Sequence, residues 1–283
     1  MVRPGRTSVE EGGHRRRTPA WAVAVAVGLV AAAATGANAQ DTASGGAAQA
    51  ERDMYRFELS VDLPLTLASA VIGSSWLLRS ELAAPDCAPQ CERDRLPAFD
   101  RAVAGRFDPD ARRFSDFGVA ALLAGSSALL LIDGGVIDFA VGLQAVLATS
   151  AISVITMMAV RRPRPFVYGE QAPLGVRLSG NAGLAFPSGH TANAFAATFA
   201  LFQTLRFRHP DSPWIWVSLA AGCTLAGAVG GSRVVAGDHF PSDVIAGAVL
   251  GSAIGWVVPE LHRIAPGLSI SPSAGGLAMS GSW

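Results

Sequence analysis

Three short polar clusters in the C-terminal half of the chain carry side chains that could do chemistry. They are Arg162-Pro163-Arg164-Pro165, then Pro187-Ser188-Gly189-His190, and finally Ser232-Arg233 followed by His239 and Asp243. Phosphoryl transfer needs cations for the phosphate oxygens, a nucleophile and a proton donor, which arginine and histidine can supply. Two of the chain's five histidines lie in these clusters. The clusters therefore indicate a site for phosphoryl chemistry.

The backbone around the second cluster favours anion binding. Ser188 and Gly189 stand directly before an apolar stretch, so we expect them at a helix N-terminus, where backbone N–H groups attract phosphate. Simple N-capping is the alternative role for Ser188. Arg164 and Arg233 lie at the ends of apolar spans, where they either clamp phosphate oxygens or reach towards lipid headgroups.

Composition places the chain in a membrane. Of its 283 residues 50% are hydrophobic and 16% charged, with a mean hydropathy of +0.35, which is more apolar than an ordinary soluble domain. The formal net charge is zero, so nothing favours nucleic acid as a partner. All 22 basic residues are arginine, which suggests a GC-rich bacterial genome. The acidic residues are scattered, so we expect no metal and no cofactor.

Apolar stretches separated by short polar breaks predict an all-α, membrane-embedded helical bundle of about six spans, counting the N-terminal segment, with the main bundle over residues 116–262. One glycine in four along the last stretch, at Gly247, Gly251 and Gly255, predicts a smooth face for close helix packing. The predicted spans after the N-terminal segment are Phe117–Ile132, Val136–Val160, Thr191–Leu205, Trp214–Val235 and Asp243–Val258.

The N-terminal 39 residues are typical of an export signal, with an N-terminal membrane anchor as the alternative. Arginines 15–17 precede an apolar run, and Ala37-Asn38-Ala39 offers a cleavage site. Residues 40–115 are then predicted to be a periplasmic region with a candidate Cys87–Cys91 disulfide, the alternative being two free thiols. Residues 263–283 are predicted to be a flexible tail.

Leu59–Leu78 is interpreted as an interfacial or periplasm-side helix, because Asp62 and Pro64 interrupt its start. The alternative is that this segment also crosses the membrane, which would invert the arrangement of the later spans. With the interfacial or periplasm-side placement, counting crossings places the 161–190 loop and the 233–243 corner outside, and the arginine-bearing 206–213 loop inside, as the positive-inside rule prefers. The predicted location is therefore the bacterial inner membrane, with the active site at the periplasmic end.

The three clusters resemble the signature of the type 2 phosphatidic acid phosphatase family, whose relatives include lipid phosphatases, soluble acid phosphatases and vanadium haloperoxidases. The family pattern is lysine, six residues and Arg-Pro; Pro-Ser-Gly-His; and Ser-Arg, five residues, His, three residues and Asp. Arg164-Pro165, residues 187–190, and Ser232, Arg233, His239 and Asp243 match these elements. The resemblance covers Val136 to Val258.

This resemblance implies a metal-independent phosphatase that is embedded in the membrane. Its substrate would be a phosphorylated lipid, from which it would hydrolyse a phosphomonoester or pyrophosphate group. The resemblance also implies His239 as the nucleophile that forms a phosphohistidine, Asp243 as the carboxylate that holds one of its ring nitrogens, and His190 as the acid for the leaving group. Arg164, Ser188, Gly189 and Arg233 are the implied phosphate-binding residues. Candidate substrates within the family are phosphatidic acid, phosphatidylglycerol phosphate, undecaprenyl pyrophosphate and lipid A.

One position departs from the family pattern, because Met157 stands where the family has lysine. A thioether offers no charge to a phosphate oxygen. Arg161 follows four residues later in the same apolar stretch, so on a continuous helix the two side chains would share a face. Arg161 is therefore predicted to replace the lysine, with anchoring to lipid headgroups as the alternative.

Three other functions remain open from the sequence. A vanadium haloperoxidase shares the same residues, but the apolar spans and the absent lysine count against it. A catalytically impaired member could act in lipid binding or transport, although His190, His239 and Asp243 are all present. A soluble periplasmic acid phosphatase would need these spans to face water on one side.

Overall fold

The computed structural model describes residues 54–264, 268–273 and 276–281, and the predicted N-terminal signal or anchor (1–39) lies outside them. Six helices of at least 13 residues form a bundle within the described part of the chain. They are α1 (Asp62–Ser74), α2 (Pro109–Asp133), α3 (Val136–Val160), α4 (Gly189–Arg208), α5 (Trp214–Val235) and α6 (Pro241–His262).

Short elements connect and follow these helices. The connecting elements are the 3₁₀ helices Ser75–Glu81, Arg93–Arg95, Pro165–Tyr168 and Gly180–Gly183, and the four-residue helices Ala98–Arg101 and Leu174–Arg177. After α6, strands β1 (Leu268–Ser273) and β2 (Gly276–Gly281) pair as an antiparallel hairpin. The sequence predicts no strand in residues 263–283.

The bundle confirms the predicted all-α membrane fold. The bounds of α3 and α5 coincide with the predicted spans. Long exposed apolar side chains such as Phe117, Val249 and Leu261 cover the outside of the bundle, as expected of a surface that meets lipid. Within the described residues, four helical segments are long and apolar enough to cross a bilayer: Pro109–Asp133, Val136–Tyr168, Trp214–Val235 and Pro241–His262.

The bundle has two distinct ends. We call the end where α2, α4 and α6 begin and where α3 and α5 finish the site end, because it carries the three polar clusters. The opposite end, here the far end, is closed by side-chain contacts such as the hydrogen bonds between Tyr55 and Thr204 (2.9 Å) and between His209 and Asp133 (2.8 Å).

Helix α1 runs from the far end to the site end. At its start, Asp62 accepts a hydrogen bond from His262 at the end of α6 (3.1 Å). Beyond its end, the carbonyl of Leu82 lies against Gly180 among the site-end loops. This course differs from the predicted interfacial or periplasm-side placement of Leu59–Leu78, because α1 and the 3₁₀ helix after it follow the bundle from one end to the other. Pairing with His262 lets Asp62 enter the bundle, and Pro64 falls in the first turn, where proline is tolerated.

Helices α4 and α6 pack along the predicted glycine face. A Cβ added at Gly247, Gly251 or Gly255 would collide with the carbonyl oxygen of Ser188, Ala192 or Ala196, respectively. Helix α4 also contacts α2, α3 and α5, so it is the central helix of the bundle. The glycines therefore fix the spacing of the two helices that carry His190 and follow His239.

A small hydrophobic core at the site end stabilises the loops there. Cys91, Leu96, Phe166, Tyr168 and Phe240 are buried together in it. Cys87 and Cys91 form a disulfide with a Cα–Cα distance of 4.9 Å, and the Cys91 N–H donates to the carbonyl of Val167. This core holds the segment before α2 against the loop that carries the first polar cluster.

Candidate active site

A cavity of about 760 Å³ is lined at the site end by residues from all three polar clusters: Arg164, Gly189, His190, Arg233 and His239. The cavity continues between α1, α2 and α3, where its lining is mostly apolar. Its charged and titratable lining at the site end consists of Arg79, Arg112, Asp116, Arg164, His190, Arg233, Asp238 and His239, together with the amide of Asn181.

The position and protonation of His239 suit the predicted role of nucleophile. It lies in the corner between α5 and α6, and its Nδ1 is 2.6 Å from the carbonyl oxygen of Ala185. Because a carbonyl only accepts, Nδ1 carries the proton and Nε2 keeps its lone pair. Burial, followed by the positive charges of Arg164 and Arg233, lowers the pKa of His239 well below its ordinary value. The imidazole is therefore neutral and able to attack an electrophile.

Asp243 does not make the predicted contact with the ring of His239. Its carboxylate accepts a hydrogen bond from the N–H of Phe240 (2.7 Å) and pairs with Arg162, while its carbonyl accepts from the N–H of Ser188 (2.9 Å). The reason is its position at N3 of α6, from which a side chain reaches back to cap the helix. Asp243 therefore fixes the backbone next to His239 and ties that corner to the second cluster.

Arg162 is half-buried and connects neighbouring segments, and it does not line the cavity. Its guanidinium bonds Asp243, the hydroxyl of Ser242 (2.7 Å) and the carboxylate of Asp100 (2.7 Å), and lies over the ring of Phe240 at 4.4 Å. These contacts join the end of α3, the short helix Ala98–Arg101 and the start of α6.

Arg164 and Arg233 converge on a single carboxylate, that of Asp238. Nη1 of Arg164 lies 3.2 Å from one oxygen, and Nη2 of Arg233 lies 3.0 Å from the other. Arg164 is also held by the backbone carbonyl of Asn181 (2.9 Å). Burial alone would raise the pKa of Asp238, but Arg164, Arg233 and Arg112 outweigh it and hold the pKa below the ordinary value. The carboxylate is therefore ionised and keeps the guanidinium groups in place.

His190 is oriented by a residue that the sequence analysis does not identify. Its Nε2 lies 2.8 Å from the carboxylate of Asp116 on α2, which also accepts from Nη1 of Arg233 (3.2 Å). Burial lowers the pKa of His190 below its ordinary value, and the Asp116 carboxylate opposes this effect by stabilising the protonated imidazole. Since His190 lines the same cavity as His239, the pair can supply an acid and a nucleophile to one substrate.

The predicted anion site at the start of α4 is formed in part. Gly189 lines the cavity, and no side chain caps this helix end, so its first N–H groups can bind an anion. Ser188 is fully buried, and its hydroxyl bonds that of Thr191 (2.8 Å) instead. Ser188 therefore lies behind the cavity wall.

The structure does not bring Arg161 to the cavity. Helix α3 ends at Val160, and Arg161 has a left-handed backbone (φ +52°), so the helical face shared with Met157 does not continue to it. Its guanidinium donates to the carbonyl of Ala83 (2.6 Å). Met157 does line the cavity, so the wall at the position of the family lysine is apolar.

Four charged residues of the cavity lining were not predicted from the sequence: Arg79, Arg112, Asp116 and Asp238. Arg112 and Asp116 lie one helical turn apart at the start of an apolar helix, where ionised side chains are unusual enough to mark a site. Asp238 directly precedes His239. These features are visible in the sequence, but the residues that they pair with lie far along the chain. Arg112, for example, pairs with Asp238. Among the described residues, no group of three or more His, Cys, Asp or Glu side chains is placed to hold a metal.

Comparison with known proteins points to one family. A family model described as the PAP2 superfamily matches residues 139–265. The decaprenylphosphoryl-5-phosphoribose phosphatase of Mycolicibacterium smegmatis is 32% identical over 166 residues, covering 56% of this chain and 83% of that protein. The lipid A 1-phosphatase of Porphyromonas gingivalis is 38% identical over 92 residues, covering 31% of this chain and 19% of that protein.

This chain thus spans less than two thirds of several curated relatives, including 39% of the bacitracin transport permease protein of Bacillus licheniformis. Among solved structures, the transmembrane PAP2-type phosphatidylglycerolphosphate phosphatase from Bacillus subtilis aligns with a TM-score of 0.46 at 20% identity. That alignment covers 71% of this chain and 94% of the other.

Proposed function

The chain belongs to the PAP2 superfamily, and from this premise we propose that it is a metal-independent phosphatase that works through a phosphohistidine on His239. The observation that carries the proposal is a neutral, buried His239 facing a cavity on which arginines converge. A nucleophile with a free lone pair and a preorganised positive field are the two parts that phosphoryl transfer requires.

The first chemical step forms a bond between Nε2 of His239 and phosphorus. The bond from phosphorus to the leaving oxygen breaks, and that oxygen takes a proton from His190. In the second step a water molecule attacks the phosphohistidine, and His190 takes up the proton of that water. The bond to Nε2 then breaks, and inorganic phosphate leaves.

The proposed substrate is a lipid phosphomonoester or pyrophosphate, and the shape of the cavity supports it. Along α3, lining residues extend from Met157 beside the site to Leu143 in the middle of the bundle. At the rise of an α-helix, this is a depth of about 21 Å. Leu67, Leu123 and Leu147 line the same space. A phosphate head can therefore bind at the arginines while an apolar chain lies between α1, α2 and α3.

We also propose that the site end faces the periplasm across a bacterial inner membrane. The Cys87–Cys91 disulfide lies in the site-end loops, and disulfides persist in oxidising compartments. Because α1 runs between the two ends, residues 54–61 then lie on the cytoplasmic side, with the arginines of the 206–213 loop, as the positive-inside rule prefers.

Phosphate release by purified protein tests the proposal. Detergent-solubilised protein with EDTA should release phosphate from a long-chain phosphorylated lipid with a higher kcat/KM than from glycerol phosphate, which has the head but no chain. No release from phosphatidic acid, phosphatidylglycerol phosphate, undecaprenyl pyrophosphate or lipid A would refute the phosphatase function. Equal kcat/KM values for the lipid and glycerol phosphate would refute only the lipid preference.

A further inference from the structure

Arg112 is a third guanidinium in the cavity, and it comes from a helix outside the matched residues 139–265. It lies in the first turn of α2, where its Nε donates to Asp238 (2.9 Å) and its Nη2 to the other oxygen of the same carboxylate. Its guanidinium also lies over the rings of Phe107 and Phe166, at 5.4 and 5.9 Å. Stacking and the bidentate contact hold the group in one orientation.

The arrangement leaves part of Arg112 available to a ligand. Its side chain is 29% exposed, compared with 8% for Arg164 and 6% for Arg233. Nη1 of Arg112 has no hydrogen-bond acceptor among the residues that the structure describes. Of the three guanidinium groups on Asp238, that of Arg112 thus presents the most surface and an unused donor to the cavity.

The charge balance of this wall also favours an added anion. Around Asp238, three arginines (Arg112, Arg164 and Arg233) face two carboxylates, those of Asp238 and Asp116. Arg79 is a fourth arginine in the cavity lining, and its guanidinium lies over the ring of Trp76 instead. The facing wall is uncharged at Met157, whose methyl group lies against Gly189 beside His190. A phosphate bound near His239 can therefore meet a cation from α2 in addition to Arg164 and Arg233, while the part of α3 that lines the cavity offers none.

We propose that Arg112 is a phosphate-binding residue that provides the third cation of the site, a role that neither Met157 nor Arg161 can fill. The inference rests on the proposed phosphatase function for its substrate, but its ligand chemistry is that of any tetrahedral or trigonal-bipyramidal oxyanion. Nε and Nη2, on one edge of the guanidinium, hold Asp238, and Nη1 donates to an oxygen on phosphorus.

The test compares Arg112→Gln with Arg113→Gln in the full-length protein. Arg113 is the adjacent residue on the same helix turn, but it is exposed and paired with Asp110 on the surface. The probe is orthovanadate, which resembles the transferring phosphoryl group, and its binding is followed by calorimetry and by inhibition. Loss of a charged hydrogen bond predicts about tenfold to hundredfold weaker binding and a similar fall in kcat/KM for Arg112→Gln, with Arg113→Gln unchanged.

Met157→Lys in the Arg112→Gln background separates ligand binding from structural support. A lysine at that wall restores a cation to the same cavity, so orthovanadate affinity should recover at least severalfold. If orthovanadate affinity does not recover, Arg112 only holds Asp238 in place, and the proposal is overturned. Wild-type affinity for orthovanadate in Arg112→Gln would also overturn it. If Arg112→Gln does not fold, Arg112→Lys replaces it, because lysine cannot contact both Asp238 oxygens and the ligand. It should bind more weakly than wild type, and equal binding would overturn the proposal.

The outcomes also separate this inference from the proposed function. Wild-type protein that binds orthovanadate through Arg112 but releases no phosphate from any substrate would remove the phosphatase proposal and leave the third cation in place. An Arg112→Gln variant that turns over substrate and binds orthovanadate as wild type does would remove the third-cation proposal and leave the phosphatase proposal in place.

Discussion

The glycines of α6 that contact α4 allow a test of whether the packing of these two helices determines the geometry of the active site. The perturbation is one added methyl group, in Gly247→Ala or Gly255→Ala. Both would place a Cβ against a backbone carbonyl of α4, that of Ser188 or of Ala196. The residue nearer the site is Gly247, because Ser188 directly precedes Gly189 and His190. Ala196 lies about 12 Å further along the helix.

The expected loss of stability is similar for the two variants. Overpacking a tight contact costs up to about 3 kcal/mol, and a backbone carbonyl cannot rotate away as a side chain would. Replacing glycine by alanine inside a helix stabilises the folded state by about 1 kcal/mol, which offsets part of this cost. A net loss of about 2 kcal/mol lowers the thermal unfolding midpoint by roughly 4–8 °C for a domain of this size. Gly227→Ala is the control, since its Cβ would meet nothing within 4 Å, and it should not lower the midpoint.

The expected effect on activity differs between the two sites. At Gly247 the new Cβ would lie 2.5 Å from the Ser188 oxygen, while ordinary contact begins at 3.4 Å, so the start of α4 must move by close to 1 Å. A displacement of about 1 Å in a catalytic group can lower the rate by about a hundredfold. Gly247→Ala should therefore lose about tenfold to a hundredfold in kcat/KM, and Gly255→Ala less than about threefold.

The assay is phosphate release in detergent, well below the unfolding midpoint of each variant, together with thermal unfolding of the same samples. Equal kcat/KM values for Gly247→Ala and Gly255→Ala at equal stability would refute the reasoning. The spacing of α4 and α6 would then support folding without setting the distance between His190 and His239.

Four further predictions concern the site and the topology. His239→Ala should abolish turnover and the acid-labile phosphoenzyme, and a variant with near-normal turnover would disprove the nucleophile assignment. Because burial and the nearby arginines lower the pKa of His239, its neutral form persists into acid, so phosphoenzyme formation should decline only below about pH 6.5; a decline centred at or above that pH contradicts the assignment. Asp116→Asn should lower kcat about tenfold or more for alkyl phosphates but much less for p-nitrophenyl phosphate, whose leaving group needs little protonation; equal losses would argue against a role through His190. In a Cys223→Ser background, a cysteine introduced at Gln171 should react with impermeant maleimide in intact spheroplasts, and one at Glu58 only after lysis, whereas labelling of Glu58→Cys in intact cells would place residues 54–62 outside.

The sequence predicts those features of the fold that depend on neighbouring residues. The bounds of α3 and α5 follow from uninterrupted apolar runs. The glycine repeat of α6 predicts its contact with α4, because residues four apart share one helical face. The gathering of Arg164, His190, Arg233 and His239 around one cavity was implied by family resemblance rather than by local pattern, since each lies on a different segment.

Predictions of single side-chain contacts were less successful, and for a physical reason. Spacing along the chain is a guide to contact only while the backbone keeps one conformation. Asp243 lies four residues after His239, but a new helix begins between them, and the carboxylate caps that helix. Arg161 lies four residues after Met157, but the helix ends before it with a left-handed residue. In both cases the polar cluster lies at a helix end, where periodicity does not continue.

Charge within an apolar segment was a misleading sign of a boundary. Asp62 led the sequence analysis to exclude a crossing helix, and the charged start of α2 led it to begin that span at Phe117. In the structure each of these charges pairs with a residue far along the chain: Asp62 with His262, Arg112 with Asp238 and Asp116 with His190. A charge is costly in an apolar bundle only while it is unpaired, and its partner becomes visible only once the helices are assembled. An ionised residue in such a segment therefore indicates a partner on another helix, and at the site end those partners are the groups that are proposed to bind and protonate the substrate.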